Sequence, residues 1–239
     1  MLSTRPSDRS ARLRLALERA GIRNFSGDPA SILNDLPASD PPAHPDASIC
    51  EPLVFPLPVA PSRIAIIGGR FSEAKNVRDF DVADMEGLAE WKPEALVAPL
   101  QDALDLAWQT SFYLSSAIVV LTTVGGPPLD ASGRDTLWKA FGVPIFEQLR
   151  SWPGAVIARE CEAHAGLHIV DDSTILQRDP DGEILLTVLN SKRPVLKSRT
   201  GLMGEIVECE CECGSGMPRL RNLATVADLA IEAEATAGD

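Results

Sequence analysis

The chain has 239 residues, 45% of them hydrophobic, and a formal net charge of −12 from 22 basic and 34 acidic side chains. This composition is typical of a globular protein, and the length suffices for one or two domains. The acidic charge argues against sequence-independent nucleic-acid binding, which needs clustered lysines and arginines. No apolar run reaches the roughly 18 to 20 residues of a membrane-spanning helix, so we expect neither a nucleic acid nor a membrane as a partner.

The first 62 residues are predicted to form an amphipathic helix and a proline-rich lead-in. Leucines alternate with arginines over residues 8–20, which favours a short helix that ends near Gly21. Prolines are frequent from residue 24 to 61, so a continuous helix is not expected there. The arginine-rich start lacks the apolar stretch of a secretory signal, and an odd number of cysteines argues against a secreted disulfide framework. These features favour a cytoplasmic protein.

Residues 63–155 are predicted to form an α/β subdomain. Strands are predicted at residues 63–69, 95–100, 117–124 and 142–146, and helices at residues 85–90, 100–110 and 130–141, the last one capped by Asp130. Strands that alternate with helices through short turns indicate a parallel or mixed sheet with flanking helices.

Residues 156–223 are predicted to form a smaller antiparallel β layer, followed by a C-terminal helix and tail at residues 224–239. Short strands are predicted at residues 167–170, 174–177, 183–189 and 204–213. The sequence Asp-Pro-Asp-Gly at 179–182 has the chemistry of a turn, so residues 173–189 are predicted to form a β-hairpin. The last helix is predicted over residues 225–235.

Four of the five cysteines fall in two short segments and suggest a metal site. Cys161 and the histidine His168 lie in the first segment, and Cys209, Cys211 and Cys213 alternate with glutamates in the second. In a strand, the three later thiols would face the same side. Zinc takes about four such ligands in a tetrahedron, and this spacing provides them if the two segments lie side by side.

Two alternatives remain open from the residues themselves. His164 competes with His168 as a ligand, and the cysteines are also compatible with small buried hydrophobic residues or with disulfides. If zinc is bound, the number of available ligands favours a closed structural site that holds the β layer together.

The segment Glu160–His168, with the sequence Glu-Cys-Glu-Ala-His-Ala-Gly-Leu-His, is similar to the "EC....GLH" segment of phenylacetate-CoA ligases, AMP-binding enzymes of the acyl-adenylate-forming superfamily. Further motifs resemble the family's in the same order: residues 125–129, 141–144, 181–189, 193–194, 199–201 and 211–214. The resemblance covers about residues 63–223. It implies the family's fold and a structural zinc ion bound by Cys161, His168, Cys211 and Cys213, with Cys209 and His164 outside the matching positions.

The same resemblance implies that the groups that bind ATP are missing. No Ser/Thr/Gly-rich phosphate loop precedes Gly68, and residues 147–154 lack the family's Tyr-Gly-x-Thr/Ser-Glu motif. Leu202 stands where the family has a ribose-binding aspartate, and leucine accepts no hydrogen bond. Pro127 replaces a glutamate, and the small C-terminal domain that carries the catalytic lysine is expected to be absent.

Two functions follow as hypotheses. The first is a truncated, non-catalytic relative, a pseudoenzyme that acts as a zinc-containing scaffold for a protein partner or an acyl ligand. The second is an enzyme: an acyl-CoA ligase subunit that works with a separately encoded ATP-binding half, or a catalyst at another site. In that catalyst the acid and base would come from Glu160, Glu162, His164 and Asp171. These four residues are more typical of a solvated loop or of groups beside a metal.

Overall fold

The fold was analysed in a computed structural model of the chain, which describes residues 6–22, 27–41, 55–68, 75–109, 112–152, 154–170, 174–189 and 195–228. The helices are α1 (Pro6–Arg19), α2 (Pro29–Asp35), α3 (Met85–Trp91), α4 (Leu100–Gln109) and α5 (Ala131–Phe141). The strands are β1 (Ile64–Ile67), β2 (Val77–Phe80), β3 (Ala95–Pro99), β4 (Ala117–Thr123), β5 (Ile145–Arg150), β6 (Val156–Glu160), β7 (Leu167–Ile169), β8 (Thr174–Arg178), β9 (Glu183–Val188), β10 (Val195–Val207) and β11 (Arg219–Thr225).

All the strands join one mixed sheet in the order β2-β1-β3-β4-β5-β6-β7-β11-β10-β9-β8. The strands from β2 to β5 in this order are parallel, and every pairing from β5 to β8 is antiparallel. The predicted α/β class, with a mixed sheet, flanking helices and an antiparallel β part, is therefore confirmed. The predicted hairpin is also confirmed, because β8 and β9 pair across the turn at residues 179–182.

The parallel half buries its apolar residues against helices, as its sequence pattern predicts. In α5 the buried positions are Gly133, Leu137 and Phe141, which recur every four residues on one face. The Asp130 side chain accepts a hydrogen bond of 2.7 Å from the Gly133 amide, so the predicted N-cap is confirmed. At the other end, Gly142 adopts the left-handed conformation of a helix C-cap.

The N-terminal helices pack on the antiparallel half of the sheet. Leu13 and Leu17 of α1 are buried with Leu33 of α2 and with Leu189, directly after β9. α2 lies inside the proline-rich lead-in and was not predicted. It begins after Asp28, whose side chain caps it, and has Pro29 in its first turn, where the missing amide hydrogen costs nothing.

Several predictions about the strands and the last helix are wrong, most of them in the antiparallel half. β2, β6 and β11 were not predicted, and the strand expected over residues 204–213 ends at Val207 within β10. Residues 219–225 form β11, so the last helix does not begin at Thr225; residues 226–228 are helical, and residues 229–235 lie outside the described part. These strands depend on pairing with distant segments, which local sequence patterns do not encode.

The division of the chain into residues 1–62, 63–155, 156–223 and 224–239 stays a prediction. β5 and β6 lie on either side of residue 155 and pair with each other in the sheet. Among the described residues, no helix combines the length and apolar character needed to cross a membrane.

Gly166, directly before β7, offers a test of the contact between β7 and β11. Its φ is +109°, and a Cβ atom there would lie 2.5 Å from the Leu220 carbonyl oxygen of β11. Gly142 also has a positive φ, but no atom lies within 4 Å of a Cβ built there. Alanine strains the backbone at either position because φ is positive, and only Gly166→Ala adds a steric clash. We expect Gly166→Ala to lower the free energy of unfolding by about 2 kcal/mol more than Gly142→Ala in urea denaturation. Equal losses would contradict the close approach.

Candidate metal centre

The structure brings Cys161, His168, Cys211 and Cys213 together. Their ligand atoms all lie within 4.8 Å of one another, with three of the residues buried and Cys213 half-buried. The sulfur atoms of Cys161 and Cys211 are 3.8 Å apart, and the Cys213 sulfur lies 3.4 Å from Nε2 of His168. The four residues that the resemblance implied are therefore the four that the fold gathers.

Two elements and a turn position these side chains. Cys161 directly follows β6, and His168 is the middle residue of β7. Cys211 and Cys213 lie in a tight turn, closed by hydrogen bonds from the Gly214 amide to the Cys211 carbonyl and from the Cys211 amide to the Ser215 carbonyl. β11 follows this turn and pairs with β7, which brings the turn to His168.

The expectation that the later cysteines share one face of a strand is wrong. The turn places Cys211 and Cys213 in the cluster, whereas Cys209 is exposed outside it, with its sulfur 3.2 Å from the Nη2 donor of Arg219. His164 also lies outside the group of four. The turn, and not the side-chain alternation of a strand, brings two of the three thiols together.

Two of the donor separations are close to those expected at a tetrahedral zinc ion. Two sulfurs bound to zinc at about 2.3 Å would lie about 3.8 Å apart, and a sulfur and an imidazole nitrogen about 3.6 Å apart. The observed separations of 3.8 and 3.4 Å are close to these values. Three thiolates and one imidazole form a set that zinc favours, and four protein ligands leave no position for a substrate. Four protein ligands of this kind are typical of structural zinc sites.

In the metal-free cluster, the three neighbouring thiols do not readily lose their protons together. Burial, together with smaller contributions from the neighbouring thiols of Cys213 and Cys211, raises the pKa of Cys161 to about 11. A backbone hydrogen bond from Cys213 lowers the pKa of Cys211. Burial also lowers the pKa of His168, which favours the neutral imidazole that a metal requires. A divalent cation would have to displace the Cys161 proton, so metal uptake releases protons.

A buried carboxylate lies next to the cluster in the chain. Glu160 is the last residue of β6, and both of its carboxylate oxygens accept hydrogen bonds of 3.1 Å from Nη2 of Arg134 on α5. It also accepts a bond of 2.8 Å from the Glu147 amide and lies 3.0 Å from Nδ1 of His164. Of the four proposed acid and base residues, Glu160 and His164 are thus in contact. Glu162 is exposed nearby, and Asp171 lies outside the described residues.

Glu147, a buried residue that sequence reasoning did not single out, extends this network. Its Oε1 accepts hydrogen bonds of 2.7 Å from the Thr122 hydroxyl and 3.2 Å from the Leu129 amide. Burial raises the pKa of Glu147, and the bond from Thr122 partly opposes the rise. Its sequence signal is weak, because β5 also contains the polar residues Gln148 and Arg150.

Glu147 gives a prediction for the pH dependence of stability. Since its pKa is raised in the folded protein, the protonated form contributes stability that is fully present below about pH 4.3 and is lost as the pH rises through the folded pKa. Glu147→Gln keeps the Oε1 acceptor and removes the titration. We expect the variant to melt at a higher temperature than the wild type at pH 8, with the difference vanishing near pH 4. Glu205→Gln, on an exposed position of β10, serves as control. A difference independent of pH would contradict the prediction.

A separate cleft lies at the carboxyl ends of β3 and β4. It has a volume of about 660 Å³ and is lined by residues that include Leu104, Leu121, Thr123, Pro127 and Leu223. Ligands of open α/β sheets commonly bind at this edge. Leu202 of β10 is only 1% exposed and belongs to the apolar core of the antiparallel half, together with Ile184 and Leu220.

Comparisons with known proteins give matches at the level of structure. No family profile matches this chain, and no curated protein sequence matches it. An open conformation of 2-hydroxyisobutyryl-CoA ligase in complex with 2-HIB-AMP and CoA is similar with a TM-score of 0.57, at 14% identity over 72% of this chain and 47% of that one. The same ligase in the postadenylation state with 2-HIB-AMP has a TM-score of 0.57, at 16% identity over 72% and 46%.

A third structure of this ligase, in the thioesterification state with 2-HIB-AMP and CoA, has a TM-score of 0.54 at 16% identity and covers 68% of this chain and 43% of that one. The chain therefore spans a little under half the length of the solved structures that it matches. Identities this low show the fold alone. The chain shares the fold of the part of 2-hydroxyisobutyryl-CoA ligase that it matches.

Proposed function

We propose that the chain is a zinc-containing relative of the phenylacetate-CoA ligases that does not catalyse ATP-dependent adenylation and acts as a scaffold for a protein partner or an acyl ligand. The observation that carries the proposal is the burial of Leu202 in an apolar core, at the residue that the sequence resemblance aligns with the family's ribose-binding aspartate. A side chain there without hydrogen-bonding atoms offers nothing to the two ribose hydroxyls.

The zinc ion in this proposal is structural. It would join the end of β6, the middle of β7 and the turn before β11, and so cross-link the middle of the antiparallel half. The donor separations and the four-ligand set support zinc, and the absence of an open coordination position argues against a catalytic ion. A reducing cytoplasm, in which free thiols persist, is the compartment that this proposal requires.

The cleft at the carboxyl ends of β3 and β4 supports retained binding of an apolar ligand. Pro127 lines it in place of the glutamate of the family motif, and Leu104, Leu121 and Leu223 make much of its wall apolar. Thr122 also lines the cleft, but its hydroxyl donates to the buried Glu147. Such a wall suits an acyl chain better than a triphosphate, whose charges need cationic or amide partners.

The test combines elemental analysis of the purified full chain with a thermal-shift titration of ATP and magnesium and an assay of pyrophosphate release in the presence of phenylacetate and CoA. We expect one zinc per chain, no shift with ATP and no pyrophosphate. Purified protein that contains no zinc and takes up none when zinc is supplied would refute the metal site. Release of pyrophosphate, by the chain alone or only with a second polypeptide, would refute the scaffold and favour the ligase subunit.

A further inference from the structure

A second pocket, distinct from the metal cluster and from the cleft, lies between α5 and the loop that follows β6. Its volume is about 460 Å³. Trp138 of α5, Pro144, Ile145 at the start of β5 and His164 contribute to its walls, and Arg134 lies along its side. The Trp138 side chain is large and apolar, yet 54% exposed. The volume lies within the range of small-molecule sites, and the lining is mainly apolar with a few polar groups.

Three contacts fix the ring of His164 at this pocket. Its Nδ1 lies 3.0 Å from Glu160, its ring stacks on Phe146 with centroids 5.0 Å apart, and its backbone amide donates to the Cys161 carbonyl. The residue has a φ of +49°, in the left-handed region that non-glycine residues seldom adopt. Asparagine or glycine would satisfy the turn equally well, so the turn does not explain why an imidazole stands here.

The partners of Glu160 determine which atom of the ring meets a ligand. Arg134 and the Glu147 amide both donate to this carboxylate, so it acts as an acceptor and Nδ1 of His164 carries the hydrogen. In the neutral imidazole, Nε2 is then an acceptor. Because Nδ1 faces the buried carboxylate, Nε2 is the ring nitrogen left for a molecule in the pocket.

The surrounding charges favour a neutral ligand. The Arg134 guanidinium is engaged by both oxygens of Glu160 and by the Ile145 carbonyl, 2.7 Å from Nη1. Asp135 also lines the pocket and pairs with Lys139 one turn along α5. The positive charge of Arg134 is thus balanced by Glu160 and does not provide a strong site for an anion.

We propose that this pocket binds a small neutral aromatic molecule with a hydroxyl group. The aromatic ring contacts Trp138 and the apolar wall, and the hydroxyl donates a hydrogen bond to Nε2 of His164. An aromatic ring suits an exposed indole, and a single acceptor at a fixed position selects for one donor. The site shares no lining residue with the metal cluster, and the proposal does not depend on whether the chain binds ATP.

The test uses phenol and anisole, which differ by a methyl group on the oxygen, so that only phenol donates. Each is titrated into the isotope-labelled full chain, and the indole signal of Trp138 is followed by NMR. We expect saturable shifts with phenol and binding of anisole weaker by about tenfold, the effect of one hydrogen bond. No saturable shift with phenol, or equal affinities, would overturn the proposal.

Variants separate the acceptor from the fold. His164→Phe keeps a ring for stacking on Phe146 and is expected to bind phenol and anisole equally. His164→Asn tolerates the positive φ and is expected to lose the same discrimination, so the test survives if the phenylalanine variant does not fold. Trp108→Phe, on an exposed residue of α4 that does not line the pocket, should bind phenol like the wild type. Discrimination retained in both His164 variants would refute the role of Nε2.

Discussion

Cys211→Ser is expected to lower the melting temperature of the zinc-loaded protein by about 8–16 °C. The reason is linkage: zinc held at a thousand times its dissociation constant stabilises the folded state by about 4.1 kcal/mol, and the variant forfeits that contribution. Each kcal/mol shifts the melting temperature by about 2–4 °C in a chain of this size. Cys211 is buried at the centre of the cluster, and its sulfur faces that of Cys161. Calorimetry with and without zinc measures the loss.

Cys209→Ser is the matched control, because this thiol lies two residues away but is exposed and outside the group of four. It should bind one zinc and melt like the wild type. A chelator should lower the melting temperature of the wild type and of this control, and leave Cys211→Ser almost unchanged. If the two serine variants behave alike, the cluster does not hold the metal.

Glu160→Ala is expected to reduce the free energy of unfolding by about 3 kcal/mol. Removing one partner of a buried ion pair costs about 3–5 kcal/mol, and the low end applies because the Arg134 side chain is 32% exposed. The substitution also leaves the Glu147 amide and Nδ1 of His164 without their acceptor. Urea denaturation of the zinc-loaded protein is the measurement.

Glu162→Ala controls for the local effect of alanine, since Glu162 is an exposed glutamate in the same loop. Its expected effect is below about 0.5 kcal/mol. Zinc content is measured for both variants, because Glu160 precedes Cys161 in the chain. A loss for Glu160→Ala as small as that of the control would show that the carboxylate network contributes little.

The sequence predicted the parallel half of the sheet well because its signals are local. Asp130 three residues before Gly133, and the apolar run of β4, fix a helix start and a buried strand without reference to distant residues. The four residues that the structure gathers in the cluster were also singled out together from the sequence, through the order of weak motifs. The turn that brings Cys211 and Cys213 together was not predicted, because alternating cysteines and glutamates have the period of a strand.

The contact between Glu160 and Glu147 was beyond sequence reasoning for a different reason. It depends on the pairing of β5 with β6, in which Gln148 lies opposite Arg159 and so brings the start of β5 to the end of β6. Neither strand shows the alternation that would set this register, since nearly all their residues are buried. The contact between His164 and Glu160 likewise depends on the turn after β6.

The wide separation of the metal ligands along the chain has a consequence for biosynthesis. Cys161 and Cys211 are 50 residues apart, and His168 and Cys213 are 45 apart. While the segment after β10 is still inside the ribosome, the emerging chain offers only Cys161 and His168 of the four cluster residues to a metal. Full coordination of the proposed zinc ion would therefore wait until β8, β9 and β10 have left the exit tunnel, which would make metal capture a late event of synthesis. A nascent chain stalled before residue 211 would carry an incomplete site. Competing thiols of the cell would then be able to remove a metal ion from it.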